Sequence, residues 1–282
     1  MNLGFGNYEH QLYIGNTKLR GVERVDLSYK IPERPINILG HGHVGHGYYG
    51  GDINTKPYSL SAISGPIEGA VNINGFLIAE DFLLHYTGDT YTTGCLSWSS
   101  DPVNYIGFEN IYMTQHSVSC SINKLPKYSS TFQVYGDMGS GLNFRGLDSY
   151  PEVASIVNQG GIHLNFKGSG TNRVTDFDYD VKVRRSPIYE IGSGRPVQVD
   201  INWPIEVVAQ ITLETDDYEM RRIDKAFIEP NVDFFEITLK DCDNNYIQRY
   251  PMSGARLLDY NVSAGGDDLQ RTRLTYISFI NK

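Results

Sequence analysis

Three histidines stand close together in the run HGHVGHG: His41, His43 and His46. Alternate side chains of a strand share a face, so His41 and His43 would lie side by side and His46 could close a three-nitrogen metal site. No carboxylate stands near them in a fixed element, and the intervening glycines leave the backbone loose. A solvated or interface loop fits the same residues better, so no metal and no cofactor is expected. Glu68 and Glu206, each in a Pro-Ile-Glu triplet, form a second constellation. Paired carboxylates serve glycoside hydrolysis, but two residues at matching places of a repeat are more simply structural. His85 and His116 stand singly in strand-like surroundings and read as partly buried histidines with satisfied ring nitrogens. There is no G-x-S-x-G elbow, no cysteine with papain-type flanks, and no G-K-[ST] after the glycine strings GSGLNFRG and GGIHLNFKGSG. Enzymatic chemistry is not expected.

The elements that would position these residues are strands. Strict alternation runs through Val25–Ile31, Thr131–Tyr135, Phe177–Val183, Phe235–Leu239 and Leu274–Phe279, all rich in Val, Ile, Phe, Tyr and Thr. Such a pattern places one face in a core and the other in water. Helical periodicity is confined to two short stretches, Tyr150–Gln159 and Asp217–Phe227. The fold class expected is mainly β, with one or two short helices.

An internal repeat organises the chain. Lys30, Pro35, Ile36 and Gly40 match Lys182, Pro187, Ile188 and Gly192 at an offset of 152. Pro66-Ile67-Glu68 matches Pro204-Ile205-Glu206 at 138, and Asn104-Tyr105-Ile106 matches Asn245-Tyr246-Ile247 at 141. Ser117-Val118-Ser119 matches Asn261-Val262-Ser263 at 144. Matches in one order, each at an equivalent place in a strand pattern, indicate duplication. The first copy carries 14 extra residues around His41–Ser61, the difference between the first two offsets, and these should form a loop. The boundaries follow: an arm at 1–19 outside both copies, a first β module at 20–147, a Gly-rich linker at 148–172 and a second module at 173–282.

With 282 residues the chain has room for two such modules, and 40% hydrophobic content excludes a disordered chain. The cysteines Cys95, Cys120 and Cys242 are an odd number without C-x-x-C spacing, and read as reduced thiols. The opening run MNLGFGNYEHQLYIG has no basic region followed by an apolar stretch, so neither a signal peptide nor membrane binding is expected. A net charge of −9 without a basic stripe argues against a nucleic-acid binder of the usual kind. Residues 1–171 hold 24 charged side chains and residues 172–282 hold 33, so the first part is about half as densely charged, as expected of a surface that meets protein.

The alternating strand Val25–Ile31, the Pro-containing run to Gly40, the strand P-I-E-G-x-V-x-I at Pro66–Ile73 and the segment Ser117–Gly139 together resemble the tail tube proteins of tailed bacteriophages. In the second copy Phe234–Leu239, Tyr260–Ser263 and Leu274–Phe279 carry the same likeness, which covers most of residues 20–280. The resemblance implies small β-sandwich or half-barrel modules, related to the tube domains of baseplate hubs, whose sheets join side by side around a channel. Two modules per chain imply a trimer with pseudo-sixfold symmetry, rings that stack into a conduit for DNA ejection, and a virion tail protein assembled in the host cytoplasm. The partners implied are further copies of the chain, the baseplate hub, the tail terminator, a sheath where the tail is contractile, and double-stranded DNA in passage. A conduit must not hold its cargo, so acidic side chains should outnumber basic ones on the lumen-facing strands. The candidates are Asp26, Glu68, Asp178, Asp180 and Glu206. Other readings are a baseplate hub, a distal tail ring, or a two-domain carbohydrate-binding protein using some of the 20 tyrosines with Trp98 and Trp203.

Overall fold

A computed structural model of the chain describes residues 10–30, 33–35, 61–63, 68–78, 80–88, 90–97, 105–122, 124–142, 161–166, 169–171, 173–191, 193–214, 231–240, 246–263 and 270–282. These are almost all strand, as the alternation predicts. In the first half the elements are β1 (Gln11–Ile14), β2 (Thr17–Lys18), β3 (Val22–Lys30), β4 (Glu33–Pro35), β5 (Ser61–Ile63), β6 (Glu68–Phe76), a 3-10 turn (Phe82–Thr87), β7 (Thr92–Ser97), β8 (Tyr105–Ser121), β9 (Lys127–Val134) and β10 (Met138–Gly139). The second half contributes β11 (Ile162–Phe166), β12 (Ser169–Thr171), β13 (Val174–Lys182), β14 (Arg185–Tyr189), β15 (Pro196–Ile201), β16 (Ile205–Glu214), β17 (Asn231–Lys240), β18 (Tyr246–Ser263) and β19 (Arg271–Ile280). The stretches Tyr150–Gln159 and Asp217–Phe227, expected to be helical, lie outside the described residues.

All the pairings are antiparallel, and a 15-stranded sheet joins both halves. Its first half reads β3-β6-β9-β8-β7-β1-β2, and its second half reads β13-β16-β19-β18-β17-β11-β12. The registers coincide once the sequence offsets are applied. Lys30 pairs with Glu68 and Lys182 with Glu206. Gly69 pairs with Val134 and Val207 with Ser278. Ser119 pairs with Lys127 and Ser263 with Arg271. Irregularities recur as well: the register shift between Val22 and Arg24 returns between Val174 and Asp176, and that between Met113 and Gln115 returns between Leu257 and Asp259. Separate two-stranded ribbons, β4–β5 and β14–β15, also correspond, with Pro35 opposite Ser61 and Pro187 opposite Val199. The extra residues of the first half fall between β4 and β5, where 36–60 lie outside the described residues.

Two segments differ from expectation. The segment 1–19 is not wholly an arm outside the modules, and 148–172 is not wholly a linker. Strand β1 pairs with β7 through Tyr13 and Cys95, while β11 pairs with β17 through Asn165 and Glu236. The backbone donors and acceptors on the outer edges of β7 and β17 are thereby satisfied. Gly94 makes the first of these approaches feasible, since a Cβ there would meet the Phe108 ring at 2.2 Å and the Tyr13 carbonyl at 2.5 Å.

The halves meet where β13 pairs along β8, from Asp176 opposite Ser121 to Lys182 opposite Gln115. Beneath this seam lies a shared core. Phe177, Tyr179 and Val181 on β13 join Val118 and Cys120 on β8 and Ala209 and Ile211 on β16, all buried. The start of β18 packs over them, bringing the Tyr250 ring to 5.3 Å from that of Phe177 and 4.9 Å from that of Tyr179. Phe177 is 1% exposed, so Phe177→Ala is expected to cost about 3–5 kcal/mol, the usual range for a large aromatic removed from a packed core. Urea unfolding measures it, and a cost under about 1 kcal/mol would show that the seam is not a core.

Candidate functional site

The outer face of the seam gathers the sequence-derived acidic candidates. Residues directly opposed in antiparallel strands share a face, and one row crosses the sheet through Asp26, Asn72, Thr131, Gln115, Lys182, Glu206 and Phe279. Asp180 and Asp178 lie two and four residues from Lys182 along β13, and Glu68 lies four residues from Asn72 along β6. The period of two puts all five carboxylates, Asp26, Glu68, Asp178, Asp180 and Glu206, on that same face. Small uncharged groups fill its middle, Ser117, Ser119 and Ser121 on β8 with Ser129 and Thr131 on β9.

Both signs of charge occur there. Asp176, Glu214 and Asp259 add to the carboxylates, while Arg24, Lys30, Lys127, Lys182, Arg256, Arg271 and Arg273 supply cations in the same rows. Among the described residues these rows are therefore nearly balanced in sign, with the carboxylates concentrated on β13. Several cations are held by neighbours. Lys182 lies 3.3 Å from Asp180 and 3.8 Å from Glu206. Arg24 lies 2.8 Å from Asp26, and Arg271 lies 3.9 Å from Glu214. Gln115 donates from Nε2 to Asp180 Oδ1 at 2.8 Å, a side-chain link across the seam.

Asp178 stands between Asp176 and Asp180 in this row. Partial loss of hydration within the sheet raises its carboxyl above the ordinary aspartate value of 3.8; the Asp176 charge adds to the rise and Arg273 opposes it. A carboxylate whose pKa rises on folding opposes folding once ionised. That penalty is absent below the ordinary value and grows as pH climbs through the folded one. Asp178→Asn is thus expected to raise the melting temperature at pH 7 and to leave it unchanged near pH 3, as followed by circular dichroism. An equal shift at both pH values would contradict the electrostatic cause.

A second polar group lies inside the core. His116 Nε2 is 2.8 Å from Asp81 Oδ2, and His116 Nδ1 is 2.7 Å from Ser130 Oγ. The Tyr250 hydroxyl donates to Asp81 Oδ2 at 3.3 Å, and the Asp81 backbone N–H donates to Gln248 Oε1 at 3.1 Å. The residue types are those of a hydrolase triad, but His116, Ser130 and Asp81 are 0%, 1% and 4% exposed, so no substrate reaches the hydroxyl. The group is a pin: Asp81, just before the 3-10 turn of the first half, grips β18 of the second. Burial, followed by the Asp81 charge and its hydrogen bond, holds the Tyr250 phenol far above its usual range and therefore neutral. Asp81→Ala should cost about 2–4 kcal/mol, because it strands the buried His116 ring and the Tyr250 hydroxyl. Asp81→Asn, which keeps an acceptor, should cost less; equal costs in thermal unfolding would argue against the pin.

The remaining candidates separate. Glu68 and Glu206 stand on β6 and β16, which are four strand spacings or about 19 Å apart, beyond the roughly 5–10 Å that glycoside hydrolysis requires. His41, His43 and His46 lie outside the described residues, and among the described residues no group of three His, Cys, Asp or Glu converges. Trp203 packs half-buried against the core, and Trp98 lies outside the described residues. No helix among the described residues is long and apolar enough to cross a membrane. Neither a family model nor a curated protein matches this chain.

Proposed function

We propose that this chain is a structural virion protein of a phage tail, whose copies close into a ring, three per ring with pseudo-sixfold symmetry, that stacks into the tube through which DNA leaves. The observation that carries the reading is the β8–β13 seam. Two stretches with one strand order and one set of registers are joined edge to edge, so the chain already contains one step of a side-by-side repeat. The outer face of that sheet suits a conduit. Phosphate contacts from Lys and Arg dominate non-specific affinity for DNA, and here Lys182, Arg24 and Arg271 are paired with carboxylates around a serine- and threonine-lined middle. Further partners on this reading are the baseplate hub, the tail terminator and, in a contractile tail, the sheath.

A baseplate hub or distal tail ring would use the same edge-to-edge modules, and stacking separates the readings. Negative-stain electron microscopy with mass photometry is expected to find trimeric rings with a central hole that lengthen into tubes at high concentration. Rings that never stack would favour the hub or distal ring, and a monomer at every concentration would sink the conduit.

A further inference from the structure

Inside the chain, the edge of β8 opposite β9 carries β7 over its first part and β13 over Gln115–Ser121. Strand β18 is built alike: the edge opposite β19 carries β17 as far as Arg256. Beyond Arg256, where β8 would have its β13, residues Leu257–Ser263 carry no strand among the described residues. At the other end of the sheet β3, the counterpart of β13, pairs with β6 alone among the described residues. One chain therefore ends in the two halves of the contact it contains once internally.

We infer that β3 of one copy pairs antiparallel with Leu257–Ser263 of β18 in a second copy, in the register of the β13–β8 seam. This rests on equating the two halves and not on any passage of DNA. Carrying the offsets of 152 and 144 across the seam pairs Lys30 with Asp259, Ser28 with Asn261 and Asp26 with Ser263 on the outer face. On the inner face it pairs Tyr29 with Tyr260 and Leu27 with Val262.

Burial supports the assignment. Within the chain the corresponding side chains Tyr179, Val181, Val118 and His116 are at most 6% exposed. At the open ends Tyr29 and Val262 are 36% and 37% exposed, and Leu27 and Tyr260 are half-buried. Apolar side chains at core positions of the repeat are thus partly uncovered where the second copy would sit. Charge agrees: Lys30 and Asp259, both exposed, meet as opposite signs across the new seam. The contact joins unlike edges, so it is heterologous and builds a ring where its rotation closes, not a two-fold dimer.

The test mixes full-length chains carrying Ser28→Cys with chains carrying Asn261→Cys under mild oxidation. A covalent dimer that forms in the mixture and in neither variant alone is expected, and a chain bearing both substitutions should give a ladder ending at the ring size. Lys30→Asp should raise the concentration needed for assembly roughly tenfold, with Asp259→Lys in the same chain restoring it. Linking of Ser28→Cys to itself would overturn the pairing in favour of a two-fold contact. Rings by microscopy without the mixed cross-link would overturn the pairing and leave the ring reading standing on another surface. Absence of any assembly by the unsubstituted chain would remove both.

Discussion

Strand β8 must satisfy backbone hydrogen bonds on both edges over 17 residues, and no single neighbour is long enough to do so. Its solution organises the molecule. One edge takes β10 and then β9; the other takes β7 and then β13 of the second half. The change of partner coincides with the irregularity between Met113 and Gln115. There an extra residue shifts the phase of alternation, so that the buried side chains run Ile111, Met113 and then His116, Val118, Cys120. Without that shift the seam with β13 would present serines to the core and His116, Val118 and Cys120 to water.

The same phase shift creates the problem that the buried pin solves. It carries His116 to a fully buried position, where an imidazole is costly unless both ring nitrogens are bonded. Ser130, opposite on β9, and Asp81 supply the two partners, and Tyr250 completes the Asp81 shell from the second half. A polar residue placed in the seam thereby ties together elements far apart in sequence. Tyr128, Tyr179 and Tyr250 surround Asp81 closely enough for its charge to raise all three phenols, after burial itself, which keeps them neutral hydroxyls.

Alternation and repeat spacing made much of this legible. The inward set Phe177, Tyr179, Val181 and Val183 follows from period two, and the offsets of 152 and 138 already align Lys30 with Lys182 and Glu68 with Glu206, the pairs that meet across β3–β6 and β13–β16. Three features were hidden. The pin uses Asp81, which lies in no alternating run; its signal was the polar His116 and Ser130 standing at inward positions of their strands. The hairpins β1–β2 and β11–β12 fall where the sequence predicts an arm and a linker, because their strands are short and carry Gln11, His163 and Asn165 among the apolar residues. Balance on the outer face was hidden because β19 brings Arg271 and Arg273 beside β16 from far along the chain, and only the register of β19 with β16 places them there.

Open strand edges are a hazard, since unpaired backbone groups recruit any extended chain. Natural sheets protect such edges with charge or with irregular geometry, and both open edges here carry these devices. Strand β3 has Glu23 and Arg24 at its register shift and Lys30 at its end, while Leu257–Ser263 begins at the second register shift and carries Asp259. An antiparallel β3–β3 pair in the register that sets Arg24 opposite Lys30 juxtaposes like charges, whereas the inferred unlike edge sets Lys30 opposite Asp259. On the pairing inferred above, the residues that guard each edge would also recognise the other. On that pairing the half-exposed Tyr29 and Val262 would be covered only by an edge of matching charge and matching twist, so the devices that protect each edge from random strands would also select its partner.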